Sequence, residues 1–228
     1  MENNCWLVNE CNQRDCNTFC MRKYKLDYLY KEALLSDFQR KRIALSVDES
    51  PETSDLNAFL YLQSIEQNIL DFVNEGKNLF LYSVRCGNGK TSWALKLIQA
   101  YFNKIWPKSG LECRALFINV PRYLLALKDN ISQKSDYIQH IKDNVLKADI
   151  VVWDEVGSKG LTSFEHENIL NVINARIDLN KTNIYTSNLT LNELNDAVGP
   201  RLFSRIINLS NCVELKGLDK RGLNNIQS

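Results

Sequence analysis

The sequence has few of the features that would place it outside the class of ordinary soluble proteins. Among its 228 residues are only 4 prolines and 9 glycines, while 44% are hydrophobic and 24% charged. No apolar run approaches the roughly 20 residues that a transmembrane helix needs. The first fifteen residues also lack the basic-then-apolar order of a signal peptide. We therefore expect a cytoplasmic protein with no membrane partner.

An excess of charge of either sign is also missing. The 28 basic and 27 acidic side chains give a formal net charge of +1. No global field therefore draws this chain onto nucleic acid or anionic lipid, and any nucleic-acid binding must come from a local patch. Single lysines such as Lys128, Lys159 and Lys181 are candidate phosphate contacts, although isolated lysines are usually solvated.

The order of the predicted elements indicates an α/β fold. Residues 1–45 combine a cysteine-rich start with a helical pattern over residues 24–42, and residues 46–57 read as a linker around Pro51. The remaining residues, 58–228, alternate apolar strands with amphipathic helices. The strands are predicted at residues 79–83, 115–120, 149–153 and 182–187. This alternation predicts a parallel sheet covered by helices on both faces.

A glycine-rich loop lies between the first strand and a helical run. In Gly87-Asn88-Gly89-Lys90-Thr91-Ser92, backbone N–H groups and the positive helix N-terminus can cradle phosphate oxygens. Lys90 would reach the β and γ phosphates, and Thr91 would bind Mg²⁺. The motif departs from the phosphate-loop pattern at Val84, where glycine is expected, so a different backbone geometry is predicted there. The alternative is a glycine turn before a surface helix.

A second motif follows about sixty residues later. The apolar run Ile150 to Trp153 ends in two acids, as a Walker B element requires. Asp154 would hold Mg²⁺ through water, and Glu155 would orient and deprotonate the attacking water. Acids at strand ends are common, but the two motifs in this order, with these flanks, predict an ATP-binding protein.

Three further polar residues are candidates for nucleotide sensing. Asn188 ends the next strand, where it could contact the γ phosphate or the attacking water; the alternative is a turn-forming asparagine. Arg201 and Arg205 share one face of a helix that begins at Pro200. Such a pair is more often solvated or ion-paired, but in a stacked ATPase it can reach a neighbour's γ phosphate as an arginine finger.

The motif order resembles the AAA+ family, and within it the DnaC and DnaI type of bacterial and phage helicase loaders. The resemblance spans about residues 58–222 and is carried by five segments: CGNGKTSWALKLI, ADIVVWDEVGS, NIYTSNL, GPRLFSRI and LKGLDKRG. The cysteine-rich start ECNQRDCNTFCMRKYKLDYLYKEALL is similar to that of phage and prophage DnaC-like proteins.

The resemblance implies an AAA+ P-loop NTPase fold without a full helical lid, and a Mg²⁺-dependent ATPase. It assigns ATP or ADP and Mg²⁺ to Lys90, Thr91 and Asp154, and the role of sensor 1 to Asn188. It favours Arg205 over Arg201 as the finger and places a sensor-2 arginine at Arg221. It further implies a spiral oligomer, contact with single-stranded DNA, and an N-terminal domain that grips a replicative hexameric DNA helicase.

Four of the seven cysteines lie within the first 20 residues. The spacings between Cys11, Cys16 and Cys20 suit the ligands of a tetrahedral Zn²⁺ site, while the spacing from Cys5 to Cys11 is slightly longer than such sites prefer. Neither histidine is nearby to compete as a ligand. The sequence therefore predicts a small zinc module at residues 1–45, while the alternative is that these cysteines are small buried hydrophobic residues.

Two other functions fit the same motifs. An IstB-like transposition helper would also bind ATP and DNA but would partner a transposase. A zinc-containing adaptor would bind nucleotide without turnover and use it only to choose partners. Of the three functions, the resemblance favours the loader.

Overall fold

The computed structural model describes residues 5–7, 11, 19–41, 43–47, 54–130 and 134–219. These residues form nine α-helices and five β-strands. The helices are α1 Met21–Glu32, α2 Leu56–Gln67, α3 Ile69–Asn74, α4 Lys90–Ile105, α5 Val120–Asp129, α6 Asp136–Asn144, α7 Ser163–Asp178, α8 Leu191–Val198 and α9 Pro200–Asn208. The strands are β1 Asn78–Tyr82, β2 Ala115–Asn119, β3 Ile150–Asp154, β4 Thr182–Ser187 and β5 Ser210–Glu214.

The five strands form one parallel sheet in the order β2-β3-β4-β1-β5. β1, β2, β3 and β4 are almost entirely buried, as expected for parallel strands that are covered on both faces. This confirms the α/β fold with a parallel sheet that the sequence predicts.

Successive side chains of each strand enter two different hydrophobic cores. Leu79 and Leu81 of β1 face a core that contains residues of α1, α2, α3 and α4. Phe80 faces the opposite core, which α5, α6, α7, α8 and α9 cover. The alternation follows the two-residue period of a strand, so one apolar run serves both layers.

The strands predicted from apolar runs agree with the structure, whereas the helix boundaries differ. The apolar pattern that starts at Asp55 predicts one helix up to about Glu75, but the structure has two helices there, which meet at Asn68. The helix expected over residues 24–42 begins at Met21 and ends at Glu32, because Leu34 adopts a left-handed backbone with φ 63°. Sequence patterns locate helix ends poorly, since end residues depend on tertiary contacts.

α1 packs directly against the sheet. Leu26, Leu29 and Tyr30 are buried in the core that they share with α2 to α4. After the helix, the N–H of Phe117 in β2 donates a 2.9 Å hydrogen bond to the carbonyl of Ala33. This part of the predicted N-terminal module is therefore joined to the sheet by a common core. The division into residues 1–45, 46–57 and 58–228 stays a prediction.

The described helices give no sign of a membrane span, because none of them combines the length and the hydrophobicity that crossing a bilayer requires.

Candidate nucleotide-binding site

The strand order gathers three loops at one edge of the sheet. β4 lies between β1 and β3, so the carboxyl ends of these three strands are neighbours. The glycine-rich loop follows β1, Asp154 ends β3, and Asn188 directly follows β4. Open parallel sheets bind ligands at this edge, so the topology alone brings the predicted motifs together.

The glycine-rich loop has the backbone that its glycines allow. Gly87 and Gly89 have φ values of 74° and 105°, in the left-handed region that favours glycine. Gly89 is the N-cap of α4, which begins at Lys90. Val84, the departure from the motif, needs no such freedom, since it is not among the residues with positive φ. The loop therefore closes onto the helix N-terminus although its first glycine is replaced.

Lys90 and Asn88 are held inside the loop. The Lys90 side chain is only 6% exposed, and its Nζ donates to the carbonyls of Arg85 at 2.8 Å and Ser83 at 3.3 Å. The Asn88 amide donates at 2.7 Å both to Ser83 Oγ and to the carbonyl of Leu215. The ammonium group is thus placed among phosphate-loop atoms, and the loop is tied to the segment after β5.

Asp154 receives two hydroxyl hydrogen bonds. Thr91 Oγ1 donates to its Oδ1 at 2.9 Å, and Thr186 Oγ1 of β4 donates to the same oxygen at 2.7 Å. Burial raises the pKa of the Asp154 carboxyl, and the two hydroxyl hydrogen bonds oppose that rise. The carboxyl is therefore buried beside the hydroxyl that the sequence predicts as a Mg²⁺ ligand.

Glu155 has an unusual backbone that its neighbours hold in place. Its φ is 62°, left-handed for a residue that is not glycine. Its N–H donates to Thr186 Oγ1 at 3.0 Å, and its Oε2 accepts a 3.0 Å hydrogen bond from the Asn119 amide. Such strained residues persist only where surrounding contacts determine them, and they concentrate at functional sites.

The loops enclose a pocket of about 340 Å³. Its lining includes the glycine-rich loop from Cys86 to Ser92, together with Glu155, Thr186 and Asn188. Asp154 lies directly behind Thr91. The structure thus brings together the predicted residues of the phosphate loop, the Walker B pair and Asn188.

Other predicted residues lie elsewhere. Arg201 and Arg205 are exposed on α9 and are not among the described residues that line the pocket. Arg221 lies outside the described residues. Lys128 and Lys159 both pair with the buried Glu165, and Lys181 pairs with Asp149.

The predicted zinc site cannot be assembled from the described part of the chain. Cys5, Cys11 and Cys20 are free thiols of intermediate exposure, while Cys16 lies outside the described residues. The described residues contain no group of three or more His, Cys, Asp or Glu side chains placed to hold a metal. The zinc module stays a prediction.

Sequence reasoning missed two residues at the site, Thr186 and Asn119, and one buried residue outside its lining, Asp55. Thr186 and Asn119 lie within predicted strands, where a polar residue carries no signal of its own. Asp55 was placed in the linker, but it is buried and accepts hydrogen bonds from the N–H groups of Lys216 at 2.5 Å and Gly217 at 2.7 Å. An aspartate directly before a helix predicts an N-cap, so the sequence gives no indication of this long-range contact.

These side chains fit a magnesium nucleotide. Mg²⁺ prefers hard oxygen ligands, which the Thr91 hydroxyl and Asp154 carboxylate provide at adjoining positions. Phosphate requires positive charge and backbone donors, which Lys90 and the N-terminus of α4 provide. The sheet and this site together define an AAA+ P-loop NTPase fold.

Comparison with known proteins gives the family. The model of the IstB-like ATP-binding proteins matches residues 12–227, nearly the whole chain, so this protein belongs to that family. Comparison with curated proteins gives no significant match.

Solved structures share the fold at low identity. The DnaC helicase loader superposes with a TM-score of 0.57 at 23% identity, over 70% of this chain and 89% of that chain. DnaI gives a TM-score of 0.60 at 19% identity, over 84% of this chain and 100% of that chain. DnaA of Aquifex aeolicus bound to AMPPCP gives 0.54 at 19% identity, over 71% of this chain and 46% of that chain.

Proposed function

We propose that this protein is an ATP-dependent loader that binds a replicative DNA helicase and helps to place it on single-stranded DNA. The main support for this proposal is that one pocket is lined by Lys90, Thr91, Glu155 and Asn188, with Asp154 behind Thr91. The likeness of the fold to the DnaC helicase loader and to DnaI gives this ATP site its proposed task.

Each side chain has a role that its position allows. Lys90 and the backbone donors of Gly87 to Lys90 bind the phosphates, with Ser92 on the same helix turn. A bound magnesium ion would neutralise charge between the phosphates, and Thr91 and Asp154 would hold it. Glu155 orients the attacking water and accepts its proton, since its carboxylate lines the pocket. Asn188 hydrogen-bonds the γ phosphate or that water.

ATP turnover tests these roles first. Phosphate release should fall by about 100-fold or more in Glu155→Gln, because loss of a positioned base removes general-base catalysis. Nucleotide affinity should persist in that variant. A protein that acts as a nucleotide-switched adaptor without turnover would release no more phosphate than its Glu155→Gln variant.

The arginines of α9 are proposed to act on a neighbouring subunit in a spiral oligomer. Both are exposed and lie outside the pocket of their own chain, so they are available to a second copy. Arg205→Ala and Glu155→Gln would each be inactive alone. Mixed in equal amounts, they should recover roughly a quarter of wild-type turnover, because one interface in four would pair an intact Glu155 with an intact finger. If Arg201 is the finger, only Arg201→Ala will complement in this way. No recovery with either arginine variant would exclude action in trans.

The loader task itself is tested by weighing complexes. The protein is mixed with a replicative hexameric helicase, with and without ATP, and the mass of the complex is measured by light scattering. We expect a complex that depends on ATP and is weakened by Lys90→Ala. Capture of a transposase but no helicase in a parallel pull-down would instead support the IstB-like transposition helper.

The predicted N-terminal module, residues 1–45, is proposed as the surface that contacts the helicase. Zinc held by Cys5, Cys11, Cys16 and Cys20 would stabilise it. Elemental analysis of the purified protein should find one zinc per chain, reduced in Cys20→Ser but unchanged in Cys212→Ser, which alters an exposed cysteine elsewhere. Arg221 is proposed as the sensor-2 contact to the nucleotide.

A further inference from the structure

A second cavity lies far from the ATP pocket in sequence, on the exposed side of α1. Its volume is about 630 Å³, within the roughly 300–1,000 Å³ of small-ligand sites. We define the α1 cleft by the described residues that line it: Trp6, Lys23, Tyr24, Asp27, Tyr28, Lys31, Asp37, Arg40 and Lys41. None of these residues belongs to the ATP site.

The charge of the α1 cleft favours an anion. Its four cationic side chains outnumber its two carboxylates, which leaves an excess of +2. Asp27 is already compensated, because it accepts hydrogen bonds from Trp6 Nε1 at 2.8 Å and Lys23 Nζ at 2.9 Å. Within the described part of the chain, neither Lys31 nor Lys41 forms an ion pair. The ammonium group of Lys41 lies over the ring of Phe38, 5.5 Å from its centroid, a contact that does not neutralise its charge. Both lysines can therefore attract an anion.

The aromatic side chains of the cleft favour a ligand with planar rings. Tyr24 and Tyr28 are one helical turn apart on α1, and Tyr24 is 51% exposed. Tyr28 is fixed by the 3.1 Å hydrogen bond from its hydroxyl to the carbonyl of Leu111. Trp6 is fixed by Asp27 and by edge-to-face contact with Tyr30 at 5.4 Å between ring centroids. Rigid aromatic faces between cationic side chains are how proteins bind single strands without sequence preference.

We propose that the α1 cleft binds single-stranded nucleic acid, with phosphates at Lys31 and Lys41 and a base stacked on Tyr24. This site is separate from the ATP pocket and does not require ATP. It gives a nearly neutral chain the local patch that nucleic-acid binding needs.

Binding of a fluorescent 20-nucleotide oligo-dT to the full chain, without ATP, tests the site. Tyr24→Ala should weaken binding by about 10-fold, as loss of one stacked base does. The matched control is Tyr61→Ala, a tyrosine of α2 that is 38% exposed and outside the cleft, which should have no effect. Equal effects of the two variants would overturn the proposal.

Salt dependence tests the phosphate contacts independently. The double variant Lys31→Gln/Lys41→Gln should lower the slope of log affinity against log salt by about 1.4, at about 0.7 per phosphate contact. The control is the double variant Lys77→Gln/Lys147→Gln, which replaces two exposed lysines outside the cleft and should leave the slope unchanged. An unchanged slope in the cleft variant would contradict the proposal.

Cross-linking locates the bound strand. Irradiation of a bromodeoxyuridine oligonucleotide with the protein should attach it to peptides that contain Trp6, Tyr24 or Tyr28. If cross-links fall only on residues 58–219, the cleft is not the site. If poly-glutamate competes fully and Tyr24→Ala has no effect, the cleft binds acidic protein segments instead, and the nucleic-acid proposal is wrong. Because no ATP is added, these outcomes do not depend on the proposed loader function.

Discussion

Thr186 offers a sharp test of how the site keeps a buried carboxylate ionised. Its hydroxyl donates to Asp154 at 2.7 Å and accepts from the N–H of Glu155 at 3.0 Å. Thr186→Val keeps the shape of the side chain and removes both hydrogen bonds. A hydrogen bond to a charged group contributes roughly 1.5–3 kcal/mol. Loss of this hydrogen bond should therefore raise the pKa of Asp154 further above its ordinary value.

The consequence is a shift in the pH dependence of nucleotide binding. Burial already raises the pKa of Asp154, and Mg²⁺ requires the ionised carboxylate. Affinity for Mg²⁺-ATP is thus lost as pH falls through that pKa, and in Thr186→Val it should be lost at a higher pH than in the wild type. Titration of a fluorescent ATP analogue at a series of pH values, with wild type and variant side by side, measures this shift.

The same strand provides the matched control. Thr182 is completely buried in β4, and its hydroxyl has no hydrogen-bond partner among the described residues. Thr182→Val removes an unpaired polar group, so stability should stay constant or rise by about 1 kcal/mol, with no change in the pH profile of binding. The reasoning is refuted if Thr186→Val binds like the wild type at every pH, or if Thr182→Val shifts the profile as far.

Three further predictions concern stability. Asp55→Ala should lower the free energy of unfolding by about 2 kcal/mol in urea, because two backbone N–H groups lose a charged acceptor; the exposed Asp178→Ala should have almost no effect. Arg176 is fully buried and donates to Asn183 and to three backbone carbonyls. Arg176→Met leaves these buried acceptors without their donor, at roughly 1–3 kcal/mol for each group left unsatisfied, so it should cost at least about 3 kcal/mol; a loss below about 1 kcal/mol would contradict this role. Burial alone would raise the pKa of Glu165, but hydrogen bonds from Thr162, Lys159 and Lys128 outweigh burial and hold the pKa at about 2. The ionised Glu165 carboxylate therefore stabilises the fold at pH values above its ordinary pKa, and this stabilisation is lost as pH falls toward 2. Acid unfolding in that range should be shallower in Glu165→Gln, and identical acid curves would show that these hydrogen bonds do not matter.

The sheet was predictable because burial on both faces leaves a strong signal. The runs LFLY and IVVW are apolar throughout, and each lies within a strand of the structure. β5 was missed because only Val213 of its five residues is buried, so no apolar pattern distinguishes it. The ends of α1 and α2 were misplaced because local turns, rather than composition, decide them.

The ATP site was predictable as far as its motifs reach. Lys90, Thr91 and the acid pair carry the chemistry in short, recognisable strings, and parallel topology brings those strings together. Thr186, Asn119 and Asp55 act through contacts that span 31 to 162 positions in sequence. No local pattern contains that information, so only the folded chain reveals them.

The central claim is that the glycine-rich loop and the acid pair form one Mg²⁺-ATP site. Isothermal titration calorimetry of the purified protein with ATP measures it most directly. We expect one ATP per chain with Mg²⁺ present, retained in Glu155→Gln but lost in Lys90→Ala and weakened by chelation of Mg²⁺. No heat of binding in the wild type, or equal affinity in Lys90→Ala, would contradict the claim.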